Sequence, residues 1–143
     1  MRIATARYFA TDAIKESGLA PVASTVGFPK FPLGYHFAGT SPHVAPRGIF
    51  GRDLDEVTFR KLYYERLDSI GVKKIEDLLK AIAKAEDAKG VVLLCFCDLE
   101  KGYCHRRLFA EWWELNTGQN VPEITADGLV SQATLEEDAD EPV

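Results

Sequence analysis

The sequence VVLLCFCDLEKGYCHRRLFAEWW, residues 91–113, predicts the centre of the fold, and it also holds all three cysteines and both tryptophans of the chain. Its first seven residues, 91–97, are apolar without interruption and follow a Lys-Gly turn signal at residues 89–90. A short apolar run of this kind predicts a strand that is buried on both faces at the centre of a parallel sheet. Because side chains alternate along a strand, Cys95 and Cys97 are expected on one face, near its C-terminal end.

A helix is predicted directly after this strand. The polar residues 98–102 form a short loop, and the helix begins with Cys104, His105, Arg106 and Arg107. The free N–H groups and the positive dipole end of the helix N-terminus then lie beside these side chains. Open α/β sheets bind their ligands at the C-terminal edge of the strands, so the sequence predicts a functional site at this edge.

The hydrophobic periodicity of the other segments predicts the elements around this unit. Strands are expected at residues 2–8, 21–26 and 121–124, and helices at residues 11–16, 53–70 and 73–84. Asp53 and Glu56 have the spacing of a capping box at the start of the second of these helices. This order predicts one α/β domain over residues 1–126, with an open, mostly parallel sheet and flanking helices in a Rossmann-like three-layer arrangement.

Composition and charge are those of an ordinary soluble domain with an acidic end. The 143 residues are 46% hydrophobic, and no apolar run approaches the roughly 20 residues that span a bilayer. The N-terminus lacks the apolar core of a signal peptide, so we expect a cytoplasmic protein without a membrane partner. The net charge is −5, and five acidic residues lie within the last eight, which leaves the rest of the chain neutral. Residues 127–143 are therefore predicted to be an acidic, disordered tail.

A long loop over residues 28–51 is expected near the ligand edge of the sheet. It holds four of the seven prolines, which forbid a long helix. Long loops in compact domains are commonly lids or binding loops, and this one carries His36 and Arg47 as candidate ligand contacts. In the alternative interpretation it is a cover whose aromatic side chains pack on the core.

The first interpretation of the cysteine cluster is thiol chemistry. Cys104 is the candidate nucleophile, since a helix N-terminus and neighbouring positive charge stabilise a thiolate. His105 is the candidate proton donor or acceptor, and Arg106 completes the catalytic group. The expected substrate-binding residues are Arg107, Cys97, Asp98, His36 and Arg47. No cofactor is needed in this interpretation.

Two other interpretations remain open. The spacing C-x-C-x6-C-H supplies four zinc ligands, Cys95, Cys97, Cys104 and His105, and predicts a zinc-stabilised module that binds nucleic acid or protein. In the third interpretation the cysteines are small buried side chains, and the arginines pair with acidic residues of the 98–102 loop.

Several common catalytic motifs are missing from the sequence. It has no phosphate loop, no G-x-G-x-x-G, no G-x-S-x-G and no H-E-x-x-H. The C-x5-R spacing of thiol phosphatases is also missing, since Tyr103 and Ala110 stand at the positions that need arginine. Nucleotide hydrolysis, dinucleotide binding and ordinary hydrolase chemistry therefore lack support.

The segment LLCFCDLEKGYCHRRLFAEWW resembles the signature of the domain of unknown function 488 family, in which an apolar strand with cysteine precedes an acidic loop and Cys-His-Arg. The segments PVASTVGFP, VAPRGIF and TFRKLYYERLDSIG resemble further elements of that family in matching order, so the likeness covers residues 3–124. The resemblance implies an α/β fold with Cys104, His105 and Arg106 at the functional edge, but that family has no settled reaction.

These observations favour a small cytoplasmic α/β enzyme that acts at a Cys-His-Arg site. Its expected substrate is an anionic small molecule, such as a nucleotide or a component of nucleic acid. The zinc-stabilised binding module is the alternative.

Overall fold

Strand β4 (Gly90–Cys95) is the strand that the rest of the sheet is arranged around in a computed structural model of the chain. The structure describes residues 1–97 and 104–125, together with the backbone of residues 128–130. The other described strands are β1 (Arg2–Arg7), β2 (Ala20–Ala23), β3 (Gly39–Thr40), β5 (Glu123–Thr125) and β6 (Gly128–Val130). The described helices are α1 (Thr11–Ser17), α2 (Glu56–Ile70), α3 (Val72–Ala85) and α4 (His105–Thr117).

The sheet has the order β3-β2-β4-β1-β5-β6, in which β6 alone runs antiparallel. All six residues of β4 are buried, as the apolar run predicts for a central parallel strand. β4 lies against β1 so closely that a Cβ at Gly90 would stand 1.8 Å from the carbonyl oxygen of Arg2. The predicted single α/β domain with an open, mostly parallel sheet is therefore confirmed.

The two faces of the sheet are covered differently. On one face, Val22 and Leu93 pack with Leu67, Leu79 and Trp113 of the three long helices. Burial of each large apolar side chain here contributes about 2 kcal/mol to folding.

On the opposite face, Val92 and Leu94 pack with Ile14 of α1 and with Tyr35 and Phe37 of the long loop. Part of the 28–51 loop thus covers the core with its aromatic side chains. This confirms, for that part, the alternative interpretation of the loop as a cover. No helix among the described residues is long and apolar enough to cross a lipid bilayer.

The helix ends follow local sequence signals. The side chain of Asp55, rather than the expected Asp53 with Glu56, caps α2 by accepting a hydrogen bond from the Thr58 N–H at 2.7 Å. α4 begins after Cys104 and ends at Gly118, whose positive φ of 77° suits glycine. The predicted strand and the helix that follows it are therefore present, and residues 98–103 between them lie outside the described part.

The sheet extends slightly beyond the predicted domain end. β6 pairs with β5 through the Glu123–Val130 and Thr125–Gly128 positions, so the ordered sheet reaches Val130 rather than stopping at residue 126. The rest of the predicted acidic tail, residues 131–143, lies outside the described residues.

Candidate functional site

The three cysteines meet at the C-terminal end of β4. Cys95 is the last residue of that strand, Cys97 follows two residues later, and Cys104 directly precedes α4. Their sulfur atoms all lie within 4.8 Å of one another, and those of Cys95 and Cys104 are 2.7 Å apart. Cys95 and Cys104 are buried, whereas Cys97 is only half-buried. The cysteine cluster predicted from the sequence is thus confirmed as a spatial cluster.

A buried arginine binds this cluster from the helix side. Arg106 is 1% exposed, and its Nη1 donates to the sulfur of Cys95 at 2.9 Å and to the carbonyl oxygen of Cys97 at 2.9 Å. The same nitrogen lies 3.4 Å from the sulfur of Cys104. A sulfur accepts such bonds far better as a thiolate than as a thiol, so Arg106 favours negative charge on the cluster.

The other edge of the Arg106 guanidinium is held by a carboxylate. Nη2 and Nε donate to Glu123 of β5 at 2.7 and 3.1 Å, and Thr5 Oγ1 donates to the same carboxylate at 2.6 Å. Burial by itself lowers the pKa of Arg106, but the hydrogen bonds to Glu123 and the negative charge nearby raise it above its ordinary value. Arg106 is therefore a fixed cation between the sulfurs and a buried carboxylate, and its described contacts are all to the protein.

Glu123 was not among the site residues predicted from the sequence. The only signal was a charged residue inside the short segment 121–124, which otherwise has the pattern of a buried edge strand. Buried carboxylates need a partner, so such a residue predicts a buried cation nearby. The third interpretation expected the arginines to pair with acidic residues of the 98–102 loop, which lie outside the described residues; within the described part, Arg106 pairs with Glu123.

Arg107 was expected to hold an anionic substrate, but its described hydrogen bonds connect α4 to the sheet. Its Nη1 donates to Thr5 Oγ1 at 2.7 Å and to the Val121 carbonyl oxygen at 3.0 Å. Burial lowers the pKa of this guanidinium. Arg107 thus positions the β5 segment beside α4.

His105 lies beside the sulfurs, and its ring is fixed by a contact on the side opposite to them. Its Nε2 lies 2.7 Å from the carbonyl oxygen of Ser24. A carbonyl can only accept, so Nε2 carries a proton and donates. The ring packs edge-on against Tyr63, and burial lowers its pKa, which favours the neutral form. Nδ1 is 4.0 Å from the sulfur of Cys104, but His105 does not belong to the convergent sulfur group, so the predicted four-ligand set is reduced to three cysteines.

The pKa values of the thiols differ, and Cys104, for which the helix N-terminus predicts a lowered pKa, has a raised one. Hydrogen bonding to Cys95, together with burial, raises the pKa of Cys104, which is only 2% exposed. Hydrogen bonds from the thiols of Cys104 and Cys95 lower the pKa of Cys97. Hydrogen bonds to the two other cysteines, and then burial, thus disfavour a thiolate at Cys104. The partial exposure and lowered pKa of Cys97 make it a better candidate for a reactive thiol than Cys104.

A cavity of about 320 Å³ opens over the cluster. The three cysteines and His105 form its reactive side. Its other lining residues are mostly apolar, namely Thr25, Val26, Gly27, Pro46, Phe50, Phe59 and Phe96. Among the described residues, none that lines it carries a charged side chain. The cavity suits an apolar or aromatic part of a ligand, held against the sulfurs.

The remaining predicted contacts lie elsewhere or outside the described part. His36 and Arg47 are both exposed, and neither lines the cavity, although Arg47 follows the lining residue Pro46. Asp98 lies outside the described residues.

No family model, no curated protein and no solved structure matches the chain.

Proposed function

We propose that Cys95, Cys97 and Cys104 bind one thiophilic metal ion, with zinc the best fit, and that this ion is the reactive centre of a small α/β enzyme. The observation that carries the proposal is the convergence of three sulfur atoms within 4.8 Å from two elements of the fold. Zinc–thiolate bonds of about 2.3 Å in a tetrahedral arrangement place sulfurs about 3.8 Å apart. Movements of about 1 Å bring the three sulfurs to that spacing, because the closest pair is now 2.7 Å apart.

The charges around the sulfurs suit a bound divalent cation. Three thiolates and one divalent ion carry a net charge of −1. Arg106 carries +1 and donates to the sulfur of Cys95, while Nη1 also lies 3.4 Å from that of Cys104. Hydrogen bonds to metal-bound thiolates are a common second layer of such sites, and they orient the ligands. Arg106 and Glu123 neutralise each other, so a divalent ion would offset two of the three thiolate charges and leave the site with a net charge of −1.

The position of the cluster favours catalysis over a purely structural ion. Structural zinc sites are closed by four protein ligands, whereas catalytic sites keep one position open. Within the described ranges the convergent group has three ligands, all of which line the cavity. When bound, the ion would supply a Lewis acid or an activated water at the cavity wall. The fixed residues Arg106 and Glu123 would keep the sulfurs charged and oriented.

A metal-free thiol enzyme is the second candidate, and one observation favours it. Cys97 is half-buried, lines the cavity and has a lowered pKa, which are the properties of a reactive thiol. In this candidate Cys97 takes the nucleophilic role that the sequence analysis gave to Cys104.

We propose an anionic substrate, a nucleotide or a component of nucleic acid, whose aromatic part enters the apolar cavity. Arg106 and Arg107 hydrogen-bond to the protein, and we propose that exposed cations outside the CHRR segment hold its phosphate. We also propose membership of the domain of unknown function 488 family, which Cys104, His105 and Arg106 at the start of α4 support.

Titration of reduced, metal-free protein with Co²⁺ tests the metal proposal against the thiol candidate. We expect the thiolate-to-cobalt charge-transfer absorption to saturate at one equivalent and to be lost in Cys97→Ser. His105→Gln is the matched control and should keep the absorption, because His105 points to Ser24. A reduced protein that shows no such absorption, while iodoacetamide modifies Cys97 selectively, would support the thiol enzyme instead.

A further inference from the structure

Exposed apolar side chains are concentrated at the edge of the sheet that carries the site. Nine large hydrophobic side chains are exposed among the described residues. Six of them lie in the segments that follow β1, β2 and β4 or in the loop before α2, and these are Phe9, Val26, Phe28, Phe31, Phe50 and Phe96. Exposed apolar patches of this kind mark binding surfaces.

Four of these exposed rings follow β1, β2 and β4 at this edge, and we call them together the aromatic platform: Phe9, Phe28, Phe31 and Phe96. The rings of Phe9 and Phe31 are nearly parallel, with centroids 5.3 Å apart and an interplanar angle of 14°. Arg7 joins Phe9 to Phe96, because its guanidinium lies 5.2 Å from the Phe9 ring centroid and its Nε donates to the Phe96 carbonyl oxygen at 3.1 Å. The platform thus combines flat rings with a cation.

The platform rests on a fixed base. Phe96 packs on the buried ring of Tyr8 at 4.7 Å, and Phe28 contacts Phe37, which itself lies 5.6 Å from Tyr8. The Tyr8 hydroxyl is hydrogen-bonded to Thr25 at 2.6 Å. Ring faces that are held in place in this way bind a flat ligand at low cost in conformational entropy.

The charge of this edge is opposite to that of the whole chain. Residues 24–52 contain no Asp or Glu but include Lys30, Arg47 and Arg52, all of which are exposed, while the chain as a whole carries −5. Arg7 adds a further exposed cation beside the rings. Residues 24–52 are therefore positively charged and rich in aromatic rings, and beside Phe9 the cation Arg7 is accompanied by the exposed anion Asp12. Aromatic rings together with cations are the composition of surfaces that bind single strands.

We propose that the aromatic platform binds single-stranded nucleic acid, with bases stacked on the exposed rings and phosphates contacted by Arg7 and Lys30. Stacking on an aromatic side chain contributes about 1–3 kcal/mol per base and requires no particular sequence. Phe96 belongs both to the platform and to the cavity wall, so a strand on the platform brings one of its nucleotides to the cysteine cluster. This deepens the proposed substrate class, but it does not depend on the metal.

Fluorescence anisotropy with a labelled thymidine oligomer of about 12 nucleotides tests the proposal. The wild-type protein is expected to bind it, and Phe31→Ala is expected to weaken binding about tenfold. Phe31→Leu should weaken binding as well, because leucine keeps apolar volume but has no ring face. Leu115→Ala is the control, since Leu115 is 75% exposed near the far end of α4, and its affinity should equal that of the wild type.

The salt dependence of binding tests the cations. Arg7→Gln and Lys30→Gln should each reduce the slope of log affinity against log salt by about 1. Lys73→Gln removes the same charge from the exposed side of α3 and should leave the slope unchanged.

Three results would overturn the proposal. The first is no binding of the oligomer at low salt up to about 100 µM protein. The second is wild-type affinity in both Phe31 variants. The third is binding of inorganic polyphosphate, a probe that has no bases, with the same affinity as the oligomer. The wild-type protein could instead fail to bind the oligomer and form a dimer that Phe31→Leu abolishes. That result would assign the platform to self-association. All titrations are repeated on Cys97→Ser, so that failure of metal binding and failure of nucleic-acid binding are separate results.

Discussion

The Arg106–Glu123 pair offers the sharpest test of how the site is held together. In Glu123→Gln the side chain keeps its shape and one acceptor oxygen, but Arg106 loses its carboxylate counter-charge. The side chains are 2% and 11% exposed, and their closest atoms are 2.7 Å apart. Removing one partner of a buried ion pair costs about 3–5 kcal/mol, because the remaining charge is buried without compensation. Since glutamine retains one acceptor, we expect about 3 kcal/mol in the metal-free protein.

Urea unfolding followed by far-ultraviolet circular dichroism measures this loss. A saturating metal ion should reduce it, because metal-bound thiolates supply negative charge to Arg106. The matched control is Glu111→Gln, which removes an equally short pair, Arg60–Glu111 at 2.8 Å, whose side chains are 37% and 39% exposed. That pair should contribute less than about 1 kcal/mol. Equal losses in the two variants would refute the argument that Arg106 depends on a buried counter-charge.

Three further results are expected. Gly90→Ala should destabilise the protein by about 3 kcal/mol or more, since its Cβ would meet the Arg2 carbonyl oxygen at 1.8 Å; Gly27→Ala, which meets nothing within 4 Å, should stay within about 0.5 kcal/mol of the wild type in the same urea assay. Iodoacetamide should modify Cys97 of the metal-free protein before the two buried cysteines, and peptide mass spectrometry that finds either of those first would contradict the assigned burial. Proton NMR should show His43 titrating below its ordinary value of 6.5, because burial and then nearby positive charge lower its pKa; the unfolded chain then binds the proton more readily, so His43 lowers stability as pH falls below 6.5.

Much of the fold follows from local sequence signals. The uninterrupted apolar run of β4 predicts its central, doubly buried position, and the stripe of Ile75, Leu79 and Ala83 predicts α3. These signals are short-range, since each depends on residues within one element. The β3 strand (Gly39–Thr40) was not predicted, because its two residues lie in a proline-rich loop and owe their pairing to β2 alone.

The details of the site depend on long-range contacts, which one sequence does not display. The convergence of the cysteines follows from the strand-loop-helix unit and was expected. The partner of Arg106 was not, because Glu123 reaches it only when β5 pairs with β1 in the register that sets Thr5 opposite Glu123. The burial of Cys104 likewise results from packing of α4 on the sheet. The position of a residue at a helix N-terminus does not reveal this packing.

Metal content of freshly purified, untagged protein is the most direct test of the proposed centre. Inductively coupled plasma mass spectrometry should find about one equivalent of a thiophilic ion, zinc above all, per chain. The single variants Cys95→Ser, Cys97→Ser and Cys104→Ser should each lose it, while His105→Gln should retain it. Folded wild-type protein that neither contains nor takes up a stoichiometric metal ion when reduced, or a Cys97→Ser variant that retains the full amount, would contradict the three-cysteine metal centre.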